Sequence, residues 1–402
     1  MADTNGYTGF NTRAVHVGQA ACPVTGSVIP PLYQTSTFVQ TSLNKDNKDE
    51  NPYFYSRFSN PTIDALEAVL ADLEKGEQAL FFASGMGALT TMFMALLRPG
   101  DHIIGEANLY GGTDVLMRKI LAPMDIALSF VDCTDLAALK AAIQPNTKLV
   151  HIESPTNPML KILDLKAIAS VCQAAGVLLS VDNTFCSPYL QTPLCHGADI
   201  VMHSTTKSIG GHSDVVGGCL VYNQRPYAES TLHDKLKFYQ VGLGATADPF
   251  AAWLTLRGIK TLGVRTEASC KTAQQLAEWL QQQDAIEWVS YPGLASHSQK
   301  ALAMQQMKAF GSMIVLKPKG GPAMAEKLLQ STSLFRLAVS LGGIESLACI
   351  PARQTHAGMS AEDKAAIGLT DDVIRLSVGL EAFEDLQADL AQALQKIQPV
   401  NA

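Results

Sequence analysis

The residues best suited to chemistry lie in a polar segment that follows a short apolar stretch and contains Lys207. Ser204 and Thr206 precede this lysine, and small residues follow it. A lysine in such a setting can form an imine with an aldehyde, because a nearby cation can lower the pKa of its amine. A single lysine is more often a solvated surface residue, so this interpretation depends on what neighbouring segments supply.

An acidic residue supplies the strongest support. Asp182 ends another apolar stretch, and a carboxylate at the end of a buried strand needs a partner. Pyridoxal 5′-phosphate (PLP) requires an acidic residue that keeps its pyridine nitrogen protonated, because that charge makes the ring an electron sink. Asp182 alone would indicate only a loop or helix cap. Its order along the chain, ahead of Ser204, Thr206 and Lys207, favours PLP.

Other segments could hold the phosphate and the ring of this cofactor. The turn at residues 84–87 contains two glycines and precedes a predicted helix, whose N-terminus attracts anions. Most such turns bind nothing, so this signal is weak alone. Ser204 and Thr206 could also bond the phosphate, Tyr110 could stack on an aromatic ring, and Arg57 could bind the phosphate with two hydrogen bonds.

Strands and helices that alternate along the chain are expected to position these residues. The sequence predicts strands at 79–83, 102–105, 149–153, 177–181 and 199–202, with helices at 88–97 and 165–175 among them. This alternation predicts a parallel sheet with helices on both faces, whose ligands bind at the carboxyl ends of the strands. Beyond about residue 250 a long helical region extends to residue 280, and a strand at 313–316 and helices at 323–329 and 382–397 follow. The second region is predicted to be a smaller α+β domain.

We therefore predict three parts of the chain. Residues 1–60 have little periodicity and are interpreted as an arm that contacts a neighbouring subunit, with a frayed tail as the alternative. Residues 61–253 form the large PLP-binding α/β domain, and residues 254–402 form the C-terminal α+β domain.

The composition restricts the classes of partner. The 402 residues have a net charge of −7 and no basic tract, so neither nucleic acid nor an anionic membrane is expected to bind. The apolar stretches are shorter than a membrane span, and the first residues do not resemble a secretory signal. Eight scattered cysteines without a Cys-x-x-Cys pair indicate free thiols. We expect a cytoplasmic protein.

Five segments together resemble the Cys/Met-metabolism family of PLP enzymes, and the resemblance extends from about residue 12 to residue 394. This family includes cystathionine γ-synthases, cystathionine γ- and β-lyases, methionine γ-lyases and homoserine-ester sulfhydrylases. The segments are ADIVMHSTTK at 198–207, GGHSDVVGG at 210–218, YSRFSNPT at 55–62, ESPTNP at 153–158 and RLSVGLE at 375–381.

The resemblance implies a fold and a set of roles. The fold is the aspartate-aminotransferase type (fold type I), assembled as a homotetramer of two active dimers. Lys207 forms the Schiff base and then transfers protons, while Asp182 pairs with the pyridine nitrogen. Asn157 bonds the ring hydroxyl, and Tyr110 stacks on the ring. The remaining implied contacts are Gly85, Met86, Ser204 and Thr206 to the phosphate, Tyr55 and Arg57 to the same phosphate from the neighbouring subunit, and Arg375 and Ser340 to the α-carboxylate of the substrate.

Comparison within the family favours γ-chemistry over β-elimination. Glu345 matches a glutamate of the γ-synthase and γ-lyase branch, where β-lyases tend to have an aromatic residue. The resemblance implies γ-elimination on sulfur-containing or homoserine-derived amino acids, which releases 2-oxobutanoate and ammonia. γ-Replacement is the alternative, as in a cystathionine γ-synthase or an O-acylhomoserine sulfhydrylase. Either reaction belongs to transsulfuration and related sulfur amino-acid metabolism.

Several positions depart from the patterns of specialised members. Cystathionine enzymes tend to have an arginine where Val115 stands, and methionine γ-lyases tend to have a cysteine at the position of Gly112. Ser208 replaces a common aromatic residue. With Glu345 and Asp114 near the entrance, the pocket is expected to be acidic and to disfavour a distal carboxylate.

Two other classes of protein are alternatives to this enzyme family. A metal-dependent hydrolase could use His203, His212 and either His196 or Cys195, but no recognisable ligand pair such as His-Glu-x-x-His is present. A PLP-fold protein that only binds a partner is the other class, and the presence of Lys207, Asp182 and Arg375 argues against it.

Overall fold

The computed structural model describes residues 6–40 and 52–397. Residues 1–5 and 41–51 of the predicted arm, and residues 398–402 of the predicted C-terminal domain, lie outside the described residues. The two main sheets of the described chain draw their strands from separate stretches, one before residue 223 and the other after residue 285.

The larger sheet has seven strands. They are β1 (Gln78–Phe82), β2 (His102–Glu106), β3 (Ala127–Val131), β4 (Thr147–Glu153), β5 (Leu178–Asp182), β6 (Ile200–His203) and β7 (Gly218–Tyr222). Their order across the sheet is β1-β7-β6-β5-β4-β2-β3. All the strands run in the same direction except β7, which is antiparallel to both of its neighbours.

Helices cover both faces of this sheet. The α-helices of the described chain, including those that pack on the smaller sheet, are α1 (Phe10–His16), α2 (Pro61–Leu73), α3 (Gly85–Leu96), α4 (Gly111–Val115), α5 (Leu136–Ala142), α6 (Leu165–Ala175), α7 (Ser187–Leu190), α8 (Leu232–Leu243), α9 (Pro249–Ile259), α10 (Leu262–Leu280), α11 (Lys300–Gln306), α12 (Pro322–Ser331), α13 (Ala361–Ala366) and α14 (Phe383–Gln395). Alternate side chains of β1 point to opposite faces, so Ala79 and Phe81 pack with α2 and α9, whereas Leu80 and Phe82 pack with α3 and α8.

The predicted α/β class is confirmed, and the predicted strands agree with β1, β2, β4, β5 and β6 to within about two residues. Two strands of the larger sheet were not predicted. β3 is an edge strand that is only partly buried, so its sequence is less apolar. β7 makes the sheet mixed rather than purely parallel, because no helix lies between β6 and β7 to return the chain for parallel pairing.

The smaller sheet has five strands: β10 (Ile286–Ser290), β11 (Met313–Pro318), β12 (Arg336–Leu337), β13 (Leu347–Cys349) and β14 (Ile374–Ser377). Their order is β10-β11-β14-β13-β12, and α10, α12 and α14 contribute to the apolar core packed on this sheet. A short hairpin of β8 (Pro226–Tyr227) and β9 (Ser230–Thr231) lies between the two sheets in sequence. The long predicted helical region is two helices, α9 and α10. The break between them follows Ile259, and Arg265 of α10 bridges it by donating a hydrogen bond to the carbonyl of Gly258 in α9.

Part of the N-terminal segment packs on its own chain. Ala14 and Val17 are fully buried in the core formed with α2, and Arg13 forms an ion pair with Asp72 at 2.6 Å. This contact was not foreseen, because the helix α1 is only seven residues long. Among the residues that the structure describes, no helix is long and apolar enough to cross a membrane.

Candidate active site

A cavity of about 810 Å³ opens at the carboxyl ends of the strands of the larger sheet. Residues that follow the smaller sheet's β12 and β13, together with β14, complete its wall. The structure places most of the predicted site residues in this wall: Gly85, Met86, Tyr110, Val115, Asn157, Asp182, Ser204, Thr206, Lys207, Ser340 and Arg375.

The sheet explains why these residues meet. β5 ends at Asp182, β4 ends at Glu153, and the loop after β6 contains Lys207. Glu153 and Asp182 are direct partners in the register of β4 and β5. Because parallel strands end at the same edge of a sheet, residues far apart in sequence converge there.

The predicted anion-binding turn is the first turn of α3. Ser84 is the N-cap of this helix, and its hydroxyl accepts a hydrogen bond from the Gly87 N–H at 2.9 Å. A Cβ atom on Gly85 would lie 2.9 Å from the Cβ of Ser204, so a side chain at this position would collide with the lysine loop. The helix N-terminus and the hydroxyls of Ser204 and Thr206 together suit a phosphate.

Lys207 points to the opposite wall of the cavity. Its Nζ donates to the Oγ of Ser340 at 2.7 Å. Burial, and then the neighbouring Arg375, lower the pKa of Lys207 to about 8, so that part of the population is a neutral amine near neutral pH. Ser340 has a φ angle of 117°, which is rare for a residue other than glycine and marks local strain beside the lysine.

Asp182 is buried and lacks a cationic partner. Its carboxylate accepts from the Thr184 N–H at 2.9 Å, and burial raises its pKa above the usual range. None of the ion pairs among the described residues includes it. A protonated ring nitrogen would supply the missing positive charge, so the site fits PLP.

Arg375 is a buried cation that donates hydrogen bonds to two uncharged groups. Its Nη1 donates to the Oδ1 of Asn157 at 2.8 Å, and its Nη2 donates to the carbonyl of Ser340 at 3.4 Å. Arg375 takes part in none of the ion pairs formed within residues 6–40 and 52–397. Such a guanidinium suits the carboxylate of a small ligand.

Tyr110 lies directly against a glycine. A Cβ atom on Gly112 would be 2.4 Å from the Cε1 atom of the tyrosine ring, so the ring occupies the space that a larger residue would need. The backbone N–H of Tyr110 donates to the Oε2 of Glu153 at 2.9 Å. Burial, and then Asp182, raise the pKa of Glu153 well above its usual range.

Three predicted residues lie outside the cavity wall of the single chain. The Nη1 of Arg57 donates to the carbonyl of Val241 at 3.1 Å, and its guanidinium lies over the ring of Tyr55. Both side chains are exposed. Glu345 accepts a hydrogen bond from Ser213 at 3.2 Å.

The entrance of the cavity does not have the acidic residues that the sequence predicts there. Asp114 is buried and forms an ion pair with Arg118 at 2.7 Å, so its charge is already compensated. Neither this residue nor Glu345 lines the cavity: the helical turn of Asp114 directs it toward Arg118, and Glu345 bonds to Ser213 in the loop between β6 and β7.

Some wall residues were not assigned a role from sequence. They are Glu153, Thr184, Val339, Gln354, Thr355 and Gly358. A signal existed for Glu153, because it ends an apolar strand as Asp182 does. The positions from 354 to 358 lie in an irregular segment whose sequence shows no periodicity.

The residues of the hydrolase alternative have other partners. The Nε2 of His203 lies 2.5 Å from the Oε1 of the buried Glu74, and the Nδ1 of His212 lies 2.8 Å from the carbonyl of Gly210. In the described part of the chain, no group of three or more histidine, cysteine, aspartate or glutamate side chains is arranged to hold a metal ion.

Comparisons with known proteins show the family. Residues 11–395 match the sequence profile of the family described as Cys/Met metabolism PLP-dependent enzymes. A cystathionine γ-lyase from Dictyostelium discoideum is 46% identical over 396 residues, covering 98% of this chain and 100% of the relative. An L-methionine γ-lyase from Pseudomonas deceptionensis is 43% identical over 402 residues, covering 98% and 99%.

A solved structure extends the comparison to the fold. The cystathionine γ-synthase from Xanthomonas oryzae pv. oryzae, in complex with aminoacrylate and cysteine, has a TM-score of 0.92 at 41% identity, covering 97% of this chain and 99% of that one. The predicted fold type I is thereby confirmed. The matched profile, the near-complete coverage and the cavity chemistry lead to one assignment: the chain belongs to the Cys/Met-metabolism family of PLP-dependent enzymes.

Proposed function

We propose that this enzyme catalyses γ-elimination on amino acids whose γ-substituent is uncharged, such as methionine, homocysteine or an acetyl ester of homoserine. The observation that carries the proposal is the set of charged residues in the cavity wall. Within the described residues this set consists of Glu153, Asp182, Lys207 and Arg375.

Those four residues leave no cation for a second carboxylate of the substrate. Arg375 is positioned to bind the α-carboxylate, with Ser340 beside it, and Lys207 is reserved for the cofactor. The apolar Val115 lines the wall where cystathionine enzymes tend to have an arginine. A substrate with a distal carboxylate would therefore bury a charge without a partner, which is costly.

The cofactor contacts are part of the same proposal. Asp182 pairs with the pyridine nitrogen, Asn157 bonds the ring hydroxyl and Tyr110 stacks on the ring. The phosphate contacts are the backbone of Gly85 and Met86, the hydroxyls of Ser204 and Thr206, and Tyr55 and Arg57 of a second subunit. When bound, PLP withdraws electrons from the substrate, so that protons at Cα and Cβ become acidic and the γ-substituent can leave.

Lys207 moves those protons in our proposal. A lysine with its pKa lowered to about 8 can accept a proton as a neutral amine and return it as an ammonium within one cycle. The hydrogen bond from its Nζ to the Oγ of Ser340 at 2.7 Å holds the amine on the side of the cavity that binds the carboxylate.

γ-Replacement is the second candidate, and the similarity to a solved cystathionine γ-synthase favours it. The two reactions share the proton transfers by Lys207 and differ in whether water or a thiol completes the reaction. The residues of the cavity wall do not distinguish γ-elimination from γ-replacement, so the two reactions must be distinguished by their products.

The proposal is tested by incubating the purified enzyme separately with methionine, cystathionine, cysteine and O-acetylhomoserine, the last with and without cysteine. We expect 2-oxobutanoate as the main product, with methionine or O-acetylhomoserine preferred over cystathionine. Pyruvate as the main product from cystathionine would contradict γ-elimination. A thioether as the main product from O-acetylhomoserine and cysteine would establish γ-replacement instead.

We also propose the assembly, the compartment and the domain division. The enzyme is a homotetramer of two dimers with shared active sites, which would bring Tyr55 and Arg57 of one subunit to the cavity of another. The eight cysteines are free thiols in the structure, as suits the reducing cytoplasm. The division near residue 253 is supported by the two sheets, which share no strand.

A further inference from the structure

The peptide group between Leu109 and Tyr110 is held from both sides. Its N–H, on Tyr110, donates to the Oε2 of Glu153 at 2.9 Å. Its carbonyl oxygen, on Leu109, lies 3.2 Å from the Nε2 of His356. These two side chains come from different parts of the fold, because Glu153 ends β4 and His356 lies between β13 and β14 of the smaller sheet.

The contacts of His356 define its tautomer. Its Nε2 also lies 3.1 Å from the carbonyl oxygen of Asn157, and its Nδ1 lies 2.9 Å from the hydroxyl of Thr355. Carbonyl oxygens only accept hydrogen bonds, so Nε2 must carry the proton. Burial, and then Arg375, lower the pKa of His356 to about 4. The ring is therefore neutral at neutral pH, and Nδ1 accepts from Thr355.

The backbone around this peptide is packed without spare room. A Cβ atom on Gly111 would lie 2.1 Å from the carbonyl oxygen of Thr355 and 3.3 Å from the Cα of His356. On its other side, the ring of Tyr110 lies against Gly112. The peptide plane before Tyr110 is thus held by residues from both sheet regions, and Gly112 limits the space on one side of the ring.

We propose that His356 and Glu153 are positioning residues that orient Tyr110 for stacking on the cofactor ring, by clamping the Leu109–Tyr110 peptide between the two sheets. The backbone carbonyl of Asn157 also accepts from His356, but the side chain of Asn157 is held separately by Arg375. The inference rests on the proposed role of Tyr110 and not on the choice of substrate.

The test measures cofactor binding without substrate. We expect His356→Leu to weaken PLP binding by about tenfold, as when a hydrogen bond is lost and its acceptor is left unpaired. His356→Gln keeps an N–H on a side chain of similar reach, so it should bind PLP within about threefold of wild type. The visible circular dichroism of the bound cofactor, which reports how its ring is held, should change in His356→Leu and be restored in His356→Gln.

A matched control separates this role from general stability. His151 is also fully buried and neutral, and its Nδ1 lies 2.8 Å from the Oγ of Ser180 within the larger sheet, but it does not line the cavity. His151→Leu should lower stability while the PLP that it binds keeps the wild-type dichroism. If His356→Leu does not fold, Gly111→Ala perturbs the same clamp, because the added methyl group would displace the Thr355 carbonyl and with it the adjacent His356.

A double-mutant cycle decides whether His356 acts through Tyr110. In a Tyr110→Leu background, His356→Leu should weaken PLP binding by less than about threefold, because the ring that it orients is gone. A full, additive loss in that background would overturn the proposal, as would wild-type affinity and dichroism in both His356→Leu and Gly111→Ala. Failure of the wild-type enzyme to bind PLP would instead refute the proposed function.

Discussion

At the scale of single residues, the proposed role of Lys207 means that the protonation state of its amine determines when the enzyme can take up its cofactor. Only a neutral amine attacks an aldehyde, and burial followed by Arg375 lowers the pKa of Lys207 to about 8. We expect the rate at which the apoenzyme binds PLP covalently to rise with pH and to level off above about 8, rather than near the usual pKa of lysine at about 10.4. Lys207→Ala should abolish both turnover and the visible absorbance of the bound cofactor. Normal turnover in this variant would contradict the assignment of the lysine.

Arg375→Gln provides a control for the cause of that shift. Removing the neighbouring positive charge should move the plateau of the PLP-binding rate to higher pH, since the charged form of Lys207 would be less disfavoured. An unchanged profile would indicate that burial alone sets this pKa.

At the same scale, we propose that Val115 determines substrate choice. It lines the cavity wall, and the nearby Arg118 is already engaged by Asp114 at 2.7 Å and by Asp363 at 3.4 Å. Removing one partner of a buried charge pair costs roughly 2–5 kcal/mol. Because Val115 is 40% exposed, we expect the lower end of this range, about 30-fold in specificity. We expect Val115→Arg to shift the ratio of kcat/KM values toward cystathionine and away from methionine by about that factor.

Val115→Leu is the control for this prediction, because it changes size without adding charge and should leave the ratio close to that of wild type. A wild-type enzyme that already prefers cystathionine would show that another cation meets the distal carboxylate. Arg353 is unsuited to that role, because it pairs with Glu326 at 3.0 Å and lies outside the wall.

At the scale of elements, Asn60 connects the N-terminal segment to α2. It is fully buried; its Oδ1 accepts from the Thr62 N–H, and its Nδ2 donates to the Tyr33 carbonyl and the Ser56 hydroxyl, each at 2.9 Å. Asn60→Ala removes the helix cap and leaves buried partners unpaired, so we expect the free energy of unfolding in urea to fall by about 2–4 kcal/mol. Asn60→Asp keeps the cap acceptor but loses the donors, so its loss should be smaller. An alanine variant as stable as wild type would contradict this account.

The elements also show how far the sequence could predict the site. Asp182 and Lys207 were predictable because each follows an apolar strand, and parallel strands end at one edge. The role inferred for His356 was not, because it depends on contacts to Leu109 and Asn157 that only the packing of the two sheets creates. Periodicity reports which face of an element is buried but not which loops meet across a cavity.

At the scale of the whole molecule, the position of Arg57 bears on whether one chain can form a complete site. Its guanidinium lies over the rings of Tyr55 and Phe58 and outside the cavity wall, although the resemblance implies that it binds the cofactor phosphate. Arg57 can lie outside the cavity wall of its own chain and still bind a cofactor phosphate if that phosphate is in the site of the neighbouring subunit. Arg57→Ala should then weaken PLP retention on dialysis through loss of a bidentate phosphate contact.

Mixing two impaired proteins tests the shared site directly. A hybrid dimer of Arg57→Ala and Lys207→Ala chains has one site with both residues intact, formed by Arg57 from one chain and Lys207 from the other. Random exchange makes about half of the dimers hybrid, each with one intact site of two, so we expect up to about a quarter of wild-type activity. Mixing Lys207→Ala with the double variant Arg57→Ala/Lys207→Ala should give none, since no intact lysine is present. Subunit exchange is verified by mass. If the first mixture then shows no more activity than its components, each chain must hold the phosphate with its own residues. The segment containing Arg57 would in that case have to move toward its own cavity when PLP binds.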